Sequence, residues 1–237
     1  MIKSLTQLQN NNLTDVSKNN LKIISYNMWN KIRTKIDRYH NVAKFIKFNL
    51  KYGLVDFMLL QEVDLNLQDQ NKYDYHKYES FCGQAQLLTY SKYKLKMMKF
   101  GCVSNESGRP FMILYSKRRN LILVNLHAPH QTFNTTITMI VNELNKLSFI
   151  NSTTRIILGG DFNSKIENNI VIVNKHKFTL HNNNKIKTCC NSTGYDTYYR
   201  YESDHIFDSK GPLVSFEIAS IDYPSSDHSP VIATLCL

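Results

Sequence analysis

Two patterns of apolar residues alternate along the chain. Short apolar runs of the kind a doubly buried strand requires occur at 21–26 (Leu-Lys-Ile-Ile-Ser-Tyr), 55–60 (Val-Asp-Phe-Met-Leu-Leu), 113–115, 121–126, 156–158 and 231–235. Between them, Ile32, Ile36, Tyr39, Ala43, Ile46 and Leu50 recur every three or four residues. That spacing predicts an amphipathic helix over 31–52, with Gly53 placed to end it. Ile137, Ile140, Val141, Leu144 and Leu147 predict a second helix over 136–148. The basic turn Lys117-Arg118-Arg119-Asn120 joins two of the apolar runs as a hairpin. Residues 1–20 are polar, Asn-rich and without period, and read as a flexible leader. No repeat or Pro/Gly/Ser linker divides the remainder, so 21–237 is expected to be one α/β domain.

The ends of these runs carry the chemistry. Ile23-Ile24 leads into Tyr26-Asn27, Met58-Leu59-Leu60 into Gln61-Glu62, Val124-Asn125-Leu126 into His127, and Ile156-Ile157-Leu158 into Asp161 and Asn163. The last run reverses the order, with Ser226-Asp227-His228 ahead of Val231-Ile232. A final strand antiparallel to the others would bring all these groups to one rim of a sheet, where a cleft is expected. Burying such groups without partners is costly, which makes a solitary polar strand end a loop feature and a convergent set a site.

Composition adds a direction. The formal net charge of +10, from 29 Lys and Arg against 19 Asp and Glu, suits a polyanionic partner such as nucleic acid or anionic lipid, although Lys and Asn are abundant throughout. The five cysteines show no CxxC spacing, so a zinc site or disulfide framework is not expected and the thiols are read as reduced. No stretch is apolar enough to span a bilayer and the N-terminus has no signal-type apolar segment. The expected setting is cytoplasmic or nuclear, with the protein acting as a monomer.

Six segments, in this order, carry a resemblance: Tyr26-Asn27, Leu60-Gln61-Glu62-Val63, Asn125-Leu126-His127, Gly160-Asp161-Phe162-Asn163, Ser203-Asp204-His205-Ile206-Phe207 and Ser226-Asp227-His228-Ser229-Pro230-Val231. Together they resemble the endonuclease/exonuclease/phosphatase (DNase I-like) superfamily. The resemblance implies a four-layer α/β/β/α sandwich, two mixed β-sheets packed face to face with helices outside. It also implies a metal-dependent phosphoric diester hydrolase, with Mg²⁺ expected and Mn²⁺ an alternative.

Cleaving a phosphodiester requires charge neutralisation, an oriented nucleophile and a protonated leaving group. Glu62 is the carboxylate expected to hold Mg²⁺, with Asn27 positioning Glu62 or the metal and Asp227 contributing through water or at a second metal position. Asp161 would orient and deprotonate the attacking water, and Asn163 would donate its amide to a phosphate oxygen. Gly159 and Gly160 would let backbone and substrate approach closely. His228 needs a partner for its charged form, and the family pattern makes Asp204 that partner; the pair would bind phosphorane charge or assist proton transfer. His127 is read as a second phosphate contact or the general acid. The glutamate that partners the first histidine in DNase I-like members corresponds either to Glu106 or to no residue, Arg109 then reaching a phosphate. His130, Gln131 and His205 are read as structural or peripheral.

For the substrate, the inositol 5-phosphatase pattern is broken by Ser164-Lys165 after Asn163 and by Tyr201-Glu202 before Ser203. Nucleic acid, DNA or RNA, fits better. Lys92, Lys94, Lys96 and Lys99 with Tyr90 and Tyr93 form one basic-aromatic stretch, and Lys117, Arg118 and Arg119 another. Tyr195, Tyr198, Tyr199, Arg200 and Tyr201 fall where the family places a substrate-facing loop, and their rings could stack on unpaired bases. The expected function is a nuclease or nucleic-acid end-processing enzyme. The alternatives are a sphingomyelinase-like or sugar-phosphate phosphoesterase and, lower, an inactive binding module.

Overall fold

The computed structural model describes residues 20–29, 36–63, 74–103, 108–167, 170–173, 176–181, 186–190, 201–211, 213–219 and 226–237. In chain order the elements are β1 (Asn20–Asn27), α1 (Ile36–Lys51), β2 (Phe57–Gln61), β3 (His76–Cys82), β4 (Ala85–Ser91), β5 (Lys96–Cys102), β6 (Pro110–Ser116), β7 (Leu121–His127), α2 (Phe133–Asn145), β8 (Arg155–Asp161), β9 (Ile170–Val173), β10 (His176–Leu180), β11 (Asp204–Asp208), β12 (Leu213–Ile218) and β13 (Val231–Cys236). They form a six-stranded sheet, β12-β13-β1-β2-β4-β3, and a seven-stranded sheet, β5-β6-β7-β8-β11-β10-β9.

Unbroken apolar runs arise because both faces of the central strands are covered. In β1, Ile23 packs between the sheets with Leu59, Leu123 and Ile157, while its neighbour Ile24 packs with Val42, Ile46 and Leu50 of α1. In β8, Ile157 points into that middle layer, while Ile156 and Leu158 meet Ile137, Ile140 and Leu144 of α2. The result is the expected four-layer sandwich, mixed because β1 and β2 are parallel, as are β7 and β8, while β11 and β13 run antiparallel to their neighbours.

Two glycines in β8 are required by this packing. A Cβ on Gly159 would lie 2.5 Å from Leu59 Cδ1 across the sheets, and one on Gly160 would lie 1.9 Å from the carbonyl oxygen of Leu126 on β7. The close backbone approach expected at these positions is the one between sheets and between strands.

Both helices lie near their predicted spans. Gly53, in a left-handed conformation (φ +58°), follows α1. Helix α2 begins three residues earlier than the predicted span, at Phe133, which lies four residues before Ile137 on the same apolar face, stacks on Phe207 and meets Phe162 at a tilt. The strands that the pattern did not reveal are mostly half-exposed. Edge strands β3 and β5 and strand β12 mix Lys, Glu and Ser with apolar residues because one face meets solvent.

One expectation, that of reduced thiols, is corrected. Cys82 at the end of β3 is bonded to Cys102 at the end of β5, and Cys189 to its neighbour Cys190, leaving Cys236 as the free thiol. Strand packing, not a CxxC spacing, brings the first pair to a Cα separation of 5.2 Å. The basic stretches around 90–99 and 117–119 do not flank the polar rim. Both Lys92-Tyr93 and the β6–β7 turn lie at the opposite end of the sheets, about 20 Å away along β7. There Tyr93 donates to Asp56 at 2.6 Å and carries Arg119 over its ring, while Tyr90 is a core residue.

Candidate functional site

Strand direction gathers the polar ends. Asn27 and Gln61 are register partners in β1 and β2, His127 and Asp161 in β7 and β8, and Asp161 and Asp204 in β8 and β11. Glu62 and Asn163 each follow a strand in a left-handed conformation, at φ +49° and +48°, which turns the chain sharply at the rim. Just beneath, Gln61 donates to Asn125 at 2.9 Å, and Asn125 donates to Leu60, Leu88 and Thr89. This buried amide bridge ties the two sheets together below the site.

Asn27 is the centre of the arrangement. Its Nδ2 donates to Glu62 Oε1 at 3.1 Å and to Asp161 Oδ2 at 2.9 Å, while its Oδ1 accepts the Trp29 N–H. Asp161 also accepts the Asn163 backbone N–H at 2.8 Å and its Nδ2 at 3.2 Å. Asn163 Nδ2 donates to Ala128 O as well, so this side chain braces Asp161 and must give up one of these hydrogen bonds to donate to a phosphate oxygen. Burial, only partly offset by His228 and the hydrogen bonds, pushes the Asp161 carboxyl up to about 7.

Opposite stands His228. Its Nδ1 meets Asp204 Oδ2 at 2.8 Å and its Nε2 lies 3.8 Å from Asp161 Oδ2. Burial disfavours its charge, but Asp204, Asp161 and Asp227 outweigh that and raise the imidazole to about 10. His228 is therefore a buried cation at neutral pH. Ser226, which carried no role in the sequence reading, fixes it: its Oγ accepts the His228 N–H at 3.1 Å and donates to Asn27 O at 2.8 Å. Thr188 Oγ1 likewise accepts the Asp204 N–H at 3.0 Å. Small hydroxyls in loops give no pattern by which sequence could have singled them out.

His127 behaves oppositely. Its Nε2 lies 3.5 Å from Asp161 and 3.7 Å from Glu62, and Arg109 Nη1 approaches to 3.0 Å. Burial pushes its pKa down to about 3; Glu62 opposes this and Arg109 assists it. A neutral imidazole is a hydrogen-bond partner, so its role as a phosphate contact fits better than that of general acid. Arg109 thus joins the site, whereas Glu106, Tyr195, Tyr198, Tyr199 and Arg200 lie outside the described residues. His205 is buried against the carbonyls of Ser164 and Glu202, a structural role as expected.

Asp227 is raised by burial and by repulsion from Glu62 and Asp204, with His228 opposing. Carboxylates that repel one another across a rim are suited to a shared divalent cation. Carboxylate oxygens from Glu62 and Asp227 match the preference of Mg²⁺, with Asn27 positioning Glu62 through its amide protons. Among the described residues, the tight three-group clusters are Asp161-Asp204-His228 and Cys189-Cys190-His228. A cavity of about 1020 Å³ adjoins the rim, lined among others by His130, Phe133, Asn163, Lys187, Cys190 and Tyr201.

Comparison with known proteins agrees with this geometry. A sequence model described as the Endonuclease/Exonuclease/phosphatase family matches residues 24–228. An uncharacterized protein, L684 of Acanthamoeba polyphaga mimivirus, is 29% identical over 223 residues, covering 83% of this chain and 43% of the viral protein; the chain thus spans less than half of that relative's length. Among solved structures, TDP2 from C. elegans superposes with a TM-score of 0.68 at 18% identity, covering 94% of this chain and 77% of that one. TDP2 from D. rerio, complexed with a single-strand DNA product, gives 0.65 at 17% identity, covering 92% and 99%. An endonuclease/exonuclease/phosphatase family protein from Bacteroides thetaiotaomicron gives 0.66 at 18%, covering 91% and 97%. At these identities the structural likeness establishes the fold, a DNase I-like sandwich.

Proposed function

Because the chain belongs to the Endonuclease/Exonuclease/phosphatase family, we propose that it is a Mg²⁺-dependent phosphodiesterase acting on nucleic acid, as a nuclease or an end-processing enzyme. The observation that carries this reading is the Asn27 amide holding Glu62 and Asp161 together, with the His228–Asp204 pair facing Asp161 from the other side. One wall is anionic and suits a hard cation. The other presents a buried imidazolium and suits a phosphoryl oxygen.

Glu62, with Asn27 and Asp227, would hold Mg²⁺ or Mn²⁺, which when bound neutralises phosphate charge and assists the leaving oxygen. Asp161 accepts a proton from the attacking water, a task for which a carboxyl raised to about 7 is well matched near neutral pH. His228 binds the non-bridging oxygen on which charge develops, Asp204 keeping it cationic and oriented. His127 and Arg109 hold a second phosphoryl oxygen, and Asn163 orients Asp161.

Nucleic acid is favoured over lipid by the net charge of +10 and by the fold shared with a TDP2 whose complex contains a single-strand DNA product. Tyr198, Tyr199 and Arg200 are proposed substrate contacts, and the protein is proposed to act as a monomer in the cytoplasm or nucleus. No helix among the described residues is long and apolar enough to cross a membrane. The deciding experiment is a substrate panel with Mg²⁺: plasmid DNA, single-stranded DNA, poly(A) RNA, an abasic duplex, a 5′-tyrosyl oligonucleotide and sphingomyelin. Cleavage of one or more nucleic acids is expected; hydrolysis of sphingomyelin alone, or of nothing, overturns the proposal.

A further inference from the structure

The vicinal pair Cys189–Cys190 stands against His228 and takes no part in the proposed phosphodiester chemistry. Its backbone is pinned on two sides. Cys189 exchanges hydrogen bonds with Tyr201, its N–H donating at 3.0 Å and its carbonyl accepting at 3.2 Å. Cys190 N–H donates to Asp227 O at 2.8 Å, Ser229 N–H to Thr188 O at 2.8 Å, and Cys189 forms a β-bridge with His228. These contacts fix the two sulfurs and a ring nitrogen of His228 within 4.8 Å of one another.

A tetrahedral zinc site with Zn–S near 2.3 Å and Zn–N near 2.0–2.1 Å places its ligand atoms about 3.6–3.8 Å apart. Ordinary side-chain rotation closes the difference once the sulfurs are separate thiols. Cys190 lines the adjoining cavity, which gives an ion a path from solvent. Two thiolates and an imidazole select a soft or borderline cation such as Zn²⁺ over Mg²⁺.

We propose that the reduced Cys189–Cys190 pair and His228 form a binding site for a thiophilic divalent cation of the zinc type, separate from the Glu62 side of the rim. Opening the disulfide takes two electrons and two protons from a dithiol reductant, which leaves as its own disulfide. Zn²⁺ then displaces the two thiol protons and one ring proton of the His228 imidazolium, all three passing to solvent, and binds both sulfurs and the neutral imidazole. If His228 acts as proposed above, bound Zn²⁺ removes it from the phosphoryl group, so the ion inhibits the reduced enzyme and not the disulfide form.

The test uses Co²⁺ as a spectroscopic probe on the full chain, reduced with a dithiol, freed of it and kept anaerobic. One equivalent of Co²⁺ is expected to give a thiolate-to-cobalt charge-transfer band that Zn²⁺ abolishes. The band is expected to persist in C82S/C102S, to vanish in C189S/C190S, and to require at least ~10-fold more Co²⁺ in His228→Ala. Absence of the band in reduced wild type, or its survival in C189S/C190S, overturns the proposal. Should C189S/C190S lose its circular-dichroism signature, alkylation of wild type replaces it: Zn²⁺ is expected to protect Cys189 and Cys190 from iodoacetamide, and equal labelling with and without Zn²⁺ overturns the site. These readouts need no turnover, so they stand apart from any failure of the phosphodiesterase reading. Where turnover is measured, equal Zn²⁺ inhibition of wild type and C189S/C190S overturns the link to His228.

Discussion

Asn27 places both amide protons on carboxylates, and this one side chain sets how the site divides. Asp161 and His228 lie on its phosphoryl side, as proposed base and as cation. General acid–base assistance is typically worth ~10²–10⁴-fold, so Asp161→Asn and His228→Ala are each expected to lose at least ~100-fold in turnover. Circular dichroism should remain native, and near-wild-type turnover in either variant would remove its assigned role. Glu62 lies on the metal side. Chelation with EDTA should abolish turnover, and Glu62→Gln should raise the Mg²⁺ concentration for half-maximal rate by at least ~10-fold; activity persisting in EDTA would refute metal dependence. At this scale the sequence disclosed the titratable groups, because carboxylates and histidines after apolar runs are conspicuous. It did not disclose Ser226 or Thr188, whose hydroxyls matter only through the backbone N–H groups they face.

Strand β8 shows how an element can be legible in sequence while the partners its residues meet are not. Its apolar run and polar end were plain, but the partners that Gly159 and Gly160 accommodate, Leu59 and Leu126, were not. The two differ in what a methyl group would meet. At Gly159 it meets a leucine side chain that can shift, and overpacking of this kind costs about 1–3 kcal/mol. At Gly160 it meets the backbone of β7, which cannot. Gly160→Ala is therefore expected to lower the thermal unfolding midpoint more than Gly159→Ala, and the reverse order would contradict the packing described. Edge strands β3 and β5 escaped prediction because alternating burial beside solvent leaves a weak, mixed pattern.

Across the whole molecule, the two ends of the sandwich have different tasks. The end away from the site is closed by Arg155, whose Nε donates to Asp208 Oδ1 at 3.0 Å. Burial disfavours the Asp208 charge, yet His181 and chiefly Arg155 hold its carboxyl below the ordinary value; His181, at 3.9 Å, is a neighbour beyond hydrogen-bonding distance. A depressed folded pKa stabilises the fold above the unfolded value of about 3.9, and that stability is lost as pH falls through the folded value. Arg155→Ala is expected to cost about 3–5 kcal/mol at neutral pH. The gap to wild type should narrow below about pH 4 in denaturant unfolding; a gap independent of pH would show that packing, not charge, is lost. Lys117 and Arg118 lie at this same end, so replacing both with Ser should leave turnover on a short oligonucleotide unchanged. A fall in turnover would place substrate further from the rim than the site implies.

The sequence by itself determined which runs are buried strands, which stripes are helices and which titratable groups stand at the strand ends; the four layers followed from the family resemblance. Doubly buried strands must be continuously apolar and outer helices striped, and carboxylates, amides and histidines at strand ends are visible one residue at a time. Tertiary structure decided everything that depends on which strand lies beside which. It placed Asn27 against both Glu62 and Asp161, split the two histidines into a buried cation and a neutral imidazole, sent the basic turns to the far end, and set Cys189 and Cys190 against His228. Those outcomes rest on distances of a few ångströms between residues up to 199 positions apart, such as Asn27 and Ser226. Local periodicity carries no term for such distances, because strand order and register arise only when the two sheets close on a shared core.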